Sequence, residues 1–322
     1  MFDVVSIGSA TKDIFLFTGG ANLKPGINSH FLEMPFDKKI EIKDVIYTTG
    51  GSATNSAASF AKFGKKVSVI AKIGNDGEAE FIKKDLEDRK IDTGHLIASN
   101  GRSQFSTILV PKKGEMVILT YRGLEKEIKP SELKLDFKSK WMYMGPLPYQ
   151  DYTSLLDVTD YCETNDIKMV INPGSSELDG GIKRMEGLMK KVDVISMNDE
   201  EARRFVGFGN DIKNLIKLGS YAKKAAIITK GENGLLVFDG KYIYAADAFR
   251  TKQINFIGAG DSFLSGFINA LIDDKGIEDA INLGSYNASK VIQQYGAKAG
   301  LIGNYPEKRV KIKKVVYGKK KY

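Results

Sequence analysis

The sequence predicts an α/β protein with a three-layer α/β/α sandwich, a mostly parallel central sheet and a small β-sheet lid. Strand-like and helical runs alternate from residue 141 onward, which is typical of βαβ units and of a parallel sheet covered on both faces. Two β-rich segments interrupt that alternation. The chain has 322 residues, 42% of them hydrophobic, which is enough for one large domain with a sizeable core.

The N-terminal part supplies the first layer elements. "VVSIG" reads as a first strand, and residues 55–63 have the apolar spacing of a helix that Gly64 ends. "KVSVIAKIG" follows as the next strand. The motif "GGSA" before the helix predicts a tight strand-to-helix turn.

The remaining core elements follow in regular order. The strands "WMYMG", "KMVIN" and "VDVIS" are followed by predicted helices near 151–165, near 177–190 and from Asn198. "AAIIT" precedes a short hairpin, and helices over 261–272 and 277–295 close the domain. These elements predict a core formed by residues 1–13, 49–100 and 122–322.

Two segments, 14–48 and 101–121, lack any helical period. The first carries "IFLFT", "HFLEMPF" and "KIEI"; the second reads as a hairpin, "SQFSTILV" and "EMVILTY", around the turn "PKKG". We expect both to pair into one small sheet. Such a sheet would form a lid over the carboxyl ends of the parallel strands, where ligands of α/β proteins bind.

Composition limits the class of protein. One cysteine excludes a disulfide framework and favours a reducing compartment, so we expect a cytoplasmic protein. The first residues carry no basic segment of a signal peptide, and no apolar run has the length of a membrane span. We therefore expect no membrane partner.

The net charge of +8 comes partly from the basic tail "EKRVKIKKVVYGKKKY". A basic tail could bind nucleic acid, but "VKIKKVVY" also has the pattern of an edge strand with lysines on its solvent face. A positive field would equally favour an anionic substrate such as a nucleotide. We favour the edge strand and expect no nucleic-acid partner.

The motif "GAGDSF" places small residues at the start of a helix. Unpaired backbone N–H groups and the helix dipole together make an anion site, and glycines let a phosphate approach closely. Asp261 beside such a site would repel phosphate, unless it accepts a proton from an attacking hydroxyl group. The alternative is that Asp261 only caps the helix.

The motif "GGSATNSAASFAKFG" is a second candidate site. Gly50 and Gly51 end a strand, and Asn55 opens the helix that follows. The glycine backbone and the Asn55 amide could bind the hydroxyl groups of a polyol, or the motif could be a tight turn alone. The chain has no P-loop motif, so it is not a P-loop enzyme. "GAGDSF" has Phe263 where a dinucleotide fingerprint needs glycine, which argues against a Rossmann dinucleotide site.

The two motifs together resemble the paired signatures of the ribokinase family, also called the PfkB family of carbohydrate kinases. Other motifs resemble the family in the same order along the chain: "GSATKD", "KIGNDGEAEF", "NDEEA", "TKGENG" and "NASKVIQQYGAKAG". The likeness covers essentially the whole chain, including both lid segments. It implies a ribokinase-like fold and ATP-dependent phosphorylation of a hydroxyl group on a small sugar, with a nucleoside kinase of the same family as the alternative.

The resemblance implies a role for each matching residue. Asp261 resembles the catalytic base, and the N–H groups of Gly258, Ala259 and Gly260 resemble the anion hole for the γ-phosphate. The residues that would bind the acceptor's hydroxyl groups are Asp13, Gly50, Gly51 and Asn55. The residues that would bind ATP are Thr229, Gly231 and Gly234, with Asn287 near the adenine.

The cofactor positions are also implied by the resemblance. Asn198 and Glu201 match the N-x-x-E pair that organises Mg²⁺ and phosphate through water, although this spacing is equally that of a capping box. Many family members have an aspartate six residues before the base that helps to hold a monovalent cation. This chain has Asn255 there, which puts K⁺ activation in doubt. We also expect a homodimer through the lid edge that carries Phe31, Met34 and Phe36.

Overall fold

The computed structural model describes residues 1–19, 22–25, 30–112, 115–126, 128–147, 152–174, 178, 181–207 and 209–318. Within these ranges the strands are β1 (Phe2–Ile7), β2 (Thr11–Thr18), β3 (Asn22–Pro25), β4 (His30–Glu33), β5 (Ile42–Gly50), β6 (Val67–Ile70), β7 (Lys72–Ile73), β8 (Ile97–Ala98), β9 (Gln104–Lys112), β10 (Glu115–Tyr121), β11 (Ser139–Met144), β12 (Lys168–Ile171), β13 (Val194–Asn198), β14 (Ala225–Thr229), β15 (Leu235–Phe238), β16 (Tyr242–Ala246) and β17 (Ile312–Val316). The helices are α1 (Ser52–Lys62), α2 (Gly77–Asp88), α3 (Tyr152–Thr164), α4 (Gly181–Met189), α5 (Asp199–Val206), α6 (Asp211–Gly219), α7 (Ala259–Ile272) and α8 (Ile277–Val291).

The central sheet has the strand order β17-β16-β15-β14-β13-β12-β11-β1-β6 in the described residues. Strands β6, β1, β11, β12, β13 and β14 are parallel, and β15 to β17 continue the sheet antiparallel at one edge. The near-continuous apolar parallel strands are typical of a sheet buried on both faces. The predicted mostly parallel sheet is therefore confirmed.

Two helical layers cover the two faces of this sheet. Successive residues of a strand point to opposite faces, so Val4 packs in one core with α1, α2, α7 and α8. The next residue, Val5, packs in a second core with α3, α4, α5 and α6. The predicted three-layer sandwich is thus confirmed.

The small sheet has the order β10-β9-β2-β5, so the two β-rich segments do pair with each other. Its inner face packs Phe15 and Phe17 edge-on against Tyr295, with ring centroids 5.8 and 4.8 Å apart. The turn predicted at "PKKG" includes residues 113–114, which lie outside the described residues. Strands β3 and β4 form a separate antiparallel pair.

The lid strands extend further than the predicted boundaries at 14–48. Strand β2 begins at Thr11 and β5 ends at Gly50, because these two residues pair across the antiparallel ladder. Asp13 therefore belongs to a lid strand. Phe31 of β4 and the following Met34 and Phe36 are exposed but lie outside the four-stranded sheet, and the lid-mediated homodimer stays a prediction.

Several helix ends differ from the predicted ones. Helix α1 begins at Ser52, before the predicted Asn55, because Gly51 at φ 93° turns the chain directly into the helix. Helix α8 ends at Val291 rather than residue 295, since the carbonyl of Ile292 accepts the N–H groups of Ile254 and Asn255 at 2.8 and 3.1 Å. The predicted starts near 151 and 177 lie outside the described residues.

The basic tail forms the predicted edge strand β17, antiparallel to β16. Lys314 lies over the rings of Tyr242 and Tyr244, 4.4 and 5.1 Å from their centroids, and pairs with Glu278 at 3.2 Å. Part of the tail's positive charge is thus used in contacts within the folded chain. Within the described ranges, the helices are all too short or too polar to cross a bilayer.

Candidate active site

The N-terminus of α7 forms one side of the candidate site. Gly258 precedes it at φ 79°, a conformation that favours glycine, and a Cβ there would lie 2.4 Å from the Cβ of Ala297. No side chain caps this helix. The first intrahelical bond of the turn runs from the Ser262 N–H to the Gly258 carbonyl at 2.9 Å.

The three predicted amide donors are not equivalent. The Ala259 N–H already donates to the carbonyl of Phe256 at 3.3 Å. Gly260 is exposed, and a Cβ at this position would meet nothing within 4 Å. An anion at the N-terminus of α7 would therefore contact chiefly the exposed backbone of Gly260.

Asp261 is held in place from two sides. The Asn55 side-chain amide donates to its Oδ2 at 3.0 Å, and the Tyr143 hydroxyl donates to its Oδ1 at 3.0 Å. Burial raises the pKa of Asp261, although both hydrogen bonds and the charge of Lys298 act in the opposite direction. The two hydrogen bonds therefore fix the orientation of the carboxylate beside the N-terminus of α7.

Asn55 and Asp13 are two of the residues predicted to bind the hydroxyl groups of the phosphoryl acceptor. Among the described residues, the Asn55 Oδ1 is a buried oxygen with no hydrogen-bond partner. Asp13 is also buried and accepts the Thr11 hydroxyl at 2.9 Å. Burial raises the pKa of Asp13, and the Thr11 hydrogen bond and the charge of Lys298 oppose this shift. Unsatisfied buried acceptors are expected where a ligand's hydroxyl groups complete the hydrogen bonds.

The two glycines of the β5–α1 turn are required by close contacts. A Cβ at Gly50 would lie 2.0 Å from the Asp13 Oδ2, so only glycine leaves room for that carboxylate. A Cβ at Gly51, at φ 93°, would lie 2.4 Å from the carbonyl oxygen of Ser9. Both glycines are among the residues predicted to bind the acceptor's hydroxyl groups.

Lys298 is a buried cation that connects this turn to the C-terminal part of the chain. Its ammonium group donates to the hydroxyls of Thr49 and Thr54, the latter at 2.9 Å, and pairs with Asp85 at 3.2 Å. Thr54 in turn donates to the Gly50 carbonyl at 2.6 Å. Burial lowers the pKa of Lys298 to about 8. Its charge favours the ionised form of the carboxylates in the site.

A pocket of about 540 Å³ lies beside the α7 N-terminus. Thr229, Gly231 and Gly234 line it together with Ala259 and Gly260, so the structure brings the predicted nucleotide turn to the predicted anion hole. The rest of its lining is largely apolar or small and includes Phe249, Ser285, Ala288, Ser289 and Ile292. Its size and composition suit a nucleotide.

Asn287 is not among the residues that line this pocket, and its predicted place near the adenine stays a prediction. Its side chain is fully buried, donates to the Ser59 hydroxyl at 3.0 Å and the Ser262 carbonyl at 2.8 Å, and accepts the Ile302 N–H at 3.2 Å. Successive helix residues point about 100° apart, so the neighbouring Ala288 faces the pocket instead. The hydrogen bonds of the Asn287 side chain thus connect α8 to α1 and α7.

Asn198 and Glu201 form the capping box of α5. The Asn198 side chain accepts the Glu201 N–H, and the Glu201 carboxylate accepts the Asn198 N–H, both at 2.8 Å. The pair follows β13, and Asn198 is in register with Thr229 of the pocket. Within the described ranges, no group of three or more His, Cys, Asp and Glu side chains could hold a metal directly.

Tyr143 and Lys298 contact or influence the site but are absent from the sequence-based prediction. Tyr143 lies in the buried strand "WMYMG", where an aromatic residue is typical of core packing. Lys298 carries a stronger signal, since a lone lysine among small residues in "GAKAG" has no obvious solvated face. Neither pattern reveals the partner that a residue finds in the folded chain.

The fold is that of the ribokinase-like α/β class. The sequence profile of the family described as pfkB family carbohydrate kinase matches residues 1–302. The chain belongs to this family and is an ATP-dependent kinase with an alcohol group as acceptor.

Known relatives include enzymes for both sugars and nucleosides. The ribokinase of Staphylococcus aureus is 24% identical, over 92% of this chain and 96% of its own length. The cytidine kinase of Thermococcus kodakarensis is 25% identical, over 92% of this chain and 98% of its own length. The structure of Arabidopsis thaliana ribokinase complexed with ribose and ATP superposes with a TM-score of 0.76 at 18% identity, covering 94% of this chain and 96% of that one.

The Tyr143 hydroxyl is expected to set the acid limb of the pH–rate profile. A base must be ionised, so activity is lost as pH falls through the pKa of Asp261. Donation from Tyr143 lowers that pKa. Tyr143→Phe keeps the ring packed on Phe60 but removes the donor, so the acid limb moves to higher pH.

The measurement is kcat/KM against pH for the parent and variant. Tyr161→Phe is the control, because the Tyr161 hydroxyl donates to the Phe137 carbonyl, outside the site. An acid limb at the same pH in parent and Tyr143→Phe would mean that the hydroxyl does not act on the base.

Proposed function

We propose that this kinase transfers the γ-phosphoryl group of ATP to a primary hydroxyl group of a small, ribose-like sugar. The observation that carries the proposal is the Asp261 carboxylate, fixed by Asn55 and Tyr143 beside the exposed Gly260 backbone at the nucleotide pocket. A base and an anion site next to each other are what an in-line phosphoryl transfer requires.

The reaction follows from this geometry. Asp261 accepts the proton of the acceptor's hydroxyl group as its oxygen forms a bond to the γ-phosphorus. The bond from that phosphorus to the β–γ bridging oxygen breaks, which releases ADP and leaves a sugar phosphate. The exposed backbone at Gly260 and the α7 dipole stabilise the charge on the transferring group.

Magnesium fits as a water-mediated partner of Asn198 and Glu201. The Glu201 carboxylate, in the first turn of α5 directly after β13, suits an ion that keeps most of its waters, and the capping box holds that carboxylate in place. When bound with ATP, Mg²⁺ neutralises triphosphate charge. The lid would close over the acceptor and exclude water, which otherwise competes for the phosphoryl group.

The lid aromatics favour a free sugar over a nucleoside. Phe15 and Phe17 pack edge-on against Tyr295. Phe105 is paired with Lys12 of the neighbouring parallel strand, so its side chain lies on the face of the sheet opposite to that of Asp13. The likeness to a cytidine kinase supports a nucleoside as the alternative acceptor. We therefore propose a ribose-like sugar and keep the nucleoside kinase as the second candidate.

A screen of ATP consumption against pentoses, hexoses, deoxy-sugar acids and nucleosides tests this proposal. We expect the highest kcat/KM with a ribose-like sugar. A nucleoside preferred by tenfold or more would replace the sugar with the second candidate. No stimulation by any polyhydroxylated acceptor would overturn both.

Asp13 is expected to bind the acceptor and not ATP. In Asp13→Asn the charged acceptor of hydrogen bonds is lost, so KM for the sugar identified by the screen rises by about 10–100-fold while KM for ATP stays constant. Asp44→Asn, an exposed position on the neighbouring lid strand, is the control. Equal rises in both KM values would place Asp13 in a structural role instead.

A further inference from the structure

The side chain of Asn255 lies at the junction of two loops behind the anion hole. It is 1% exposed, and its Nδ2 donates to the carbonyls of Gln294, Gly296 and Ile257 at 2.9, 3.2 and 3.4 Å. Its Oδ1 accepts the Ile257 N–H at 2.7 Å. One amide group thus gathers three carbonyl oxygens around its nitrogen.

Only this orientation of the amide is chemically reasonable. A carbonyl oxygen can only accept, so the group facing three of them must be a donor. The reverse orientation would place the Asn255 Oδ1 against those oxygens and its NH₂ against the Ile257 N–H, leaving every group unsatisfied. The hydrogen-bond network therefore fixes which side of the amide faces the carbonyls.

The three carbonyls define the kind of place that a monovalent cation occupies. Hard cations are coordinated by converging backbone and carboxylate oxygens, and the family resemblance implies an aspartate at position 255 for this purpose. In this chain the amide nitrogen stands where the oxygens converge, and the neutral side chain supplies no charge. The residues present do not fit a bound K⁺.

We propose that the Asn255 amide holds the three carbonyl groups together in place of a monovalent cation and its carboxylate ligand, so that this kinase works without K⁺ or Na⁺. The amide ties the loop 255–258 to the loop 294–297. Ala297 of the second loop lies against Gly258 at the α7 N-terminus. Asn255 is thus a positioning residue for the anion hole.

The proposal has a converse that can be tested. In Asn255→Asp the donor is replaced by a carboxylate oxygen, and four oxygens then face one another in a buried space. Such a group is stable only with a positive charge between its members. The variant should therefore acquire a requirement for a monovalent cation that the parent lacks.

The experiment compares KCl, NaCl and choline chloride at constant ionic strength, with the thermal unfolding midpoint and turnover as readouts. For the parent we expect the same midpoint and turnover in all salts. For Asn255→Asp we expect a lower midpoint in choline that rises saturably with K⁺, and turnover at least about 10-fold lower in choline than in K⁺. Asn165→Asp, an exposed amide that donates to one carbonyl, is the matched control and should show no K⁺ response.

Two results would overturn the proposal. One is a saturable rise of the parent's midpoint or turnover with K⁺ over choline. The other is a folded Asn255→Asp variant with equal midpoint and turnover in both salts. If that variant does not fold in any salt, the parent's K⁺ titration decides alone. The inference rests on the proposed function only through the turnover readout, because the midpoint needs neither nucleotide nor acceptor.

Discussion

Asp261→Asn lowers turnover by about 10²–10⁴-fold or more, while the fold and ATP binding survive. The substitution removes the base and nothing else of similar importance. The new amide can still accept the Tyr143 hydrogen bond, and the unpartnered Oδ1 of Asn55 can turn to accept from its NH₂. Since burial disfavours the ionised carboxylate, the neutral variant should unfold at the same temperature or higher.

Three measurements check this prediction: steady-state turnover, calorimetric ATP binding and thermal unfolding. ATP affinity should be unchanged or higher, because a negative charge beside the γ-phosphate is gone. Asp88→Asn, at an exposed position on α2, is the control for the loss of one carboxylate. Turnover near the parent value in Asp261→Asn would remove this residue from the chemistry.

Gly260→Leu should separate stability from activity. Position 260 lies in the first turn of α7, where leucine has a helix propensity better than glycine by about 0.7 kcal/mol, and a Cβ there meets no neighbour. The side chain would project into the pocket where the terminal phosphate is expected. We expect an unchanged or slightly higher free energy of unfolding and a loss of kcat/KM for ATP of about 10²-fold or more.

Gly187→Leu is the matched control for this variant. Gly187 is an exposed glycine in helix α4, a Cβ there also meets nothing within 4 Å, and it lies outside the nucleotide pocket. Denaturant unfolding and ATP saturation curves should show similar stability in both variants, with activity lost only in the first. Full activity in Gly260→Leu would mean that phosphate does not approach this helix.

Features encoded within a few neighbouring residues could be predicted from the sequence. The parallel strands are short apolar runs, and the motifs around Asp261 and Gly50 are local turns that specify their own geometry. The edge strand at the tail follows from a short run that combines lysines with β-branched residues. In these cases most of the information that specifies the local backbone structure lies within one segment.

Features that depend on contacts between residues distant in the sequence could not be predicted from it. The lid boundaries depend on the pairing of Thr11 with Gly50, which extends β2 and β5 beyond the apolar pattern. The side chain of Asn287 faces the core because of the phase of α8 against α7, which no motif specifies. The hydrogen bond from Tyr143 to Asp261 joins a strand to a helix that are 118 residues apart.

The contacts of Lys298 have a consequence for biosynthesis. They join it to Thr49, 249 residues earlier, just as Asn55 contacts Asp261 across 206 residues. A ribosome adds residues from the N-terminus, so the turn at Gly50 is synthesised long before Lys298, the buried cation that contacts it. A nascent chain stopped before Lys298 would already contain β1 to β16, but the buried cation that contacts Thr49, Thr54 and Asp85 would be missing until residue 298 is added.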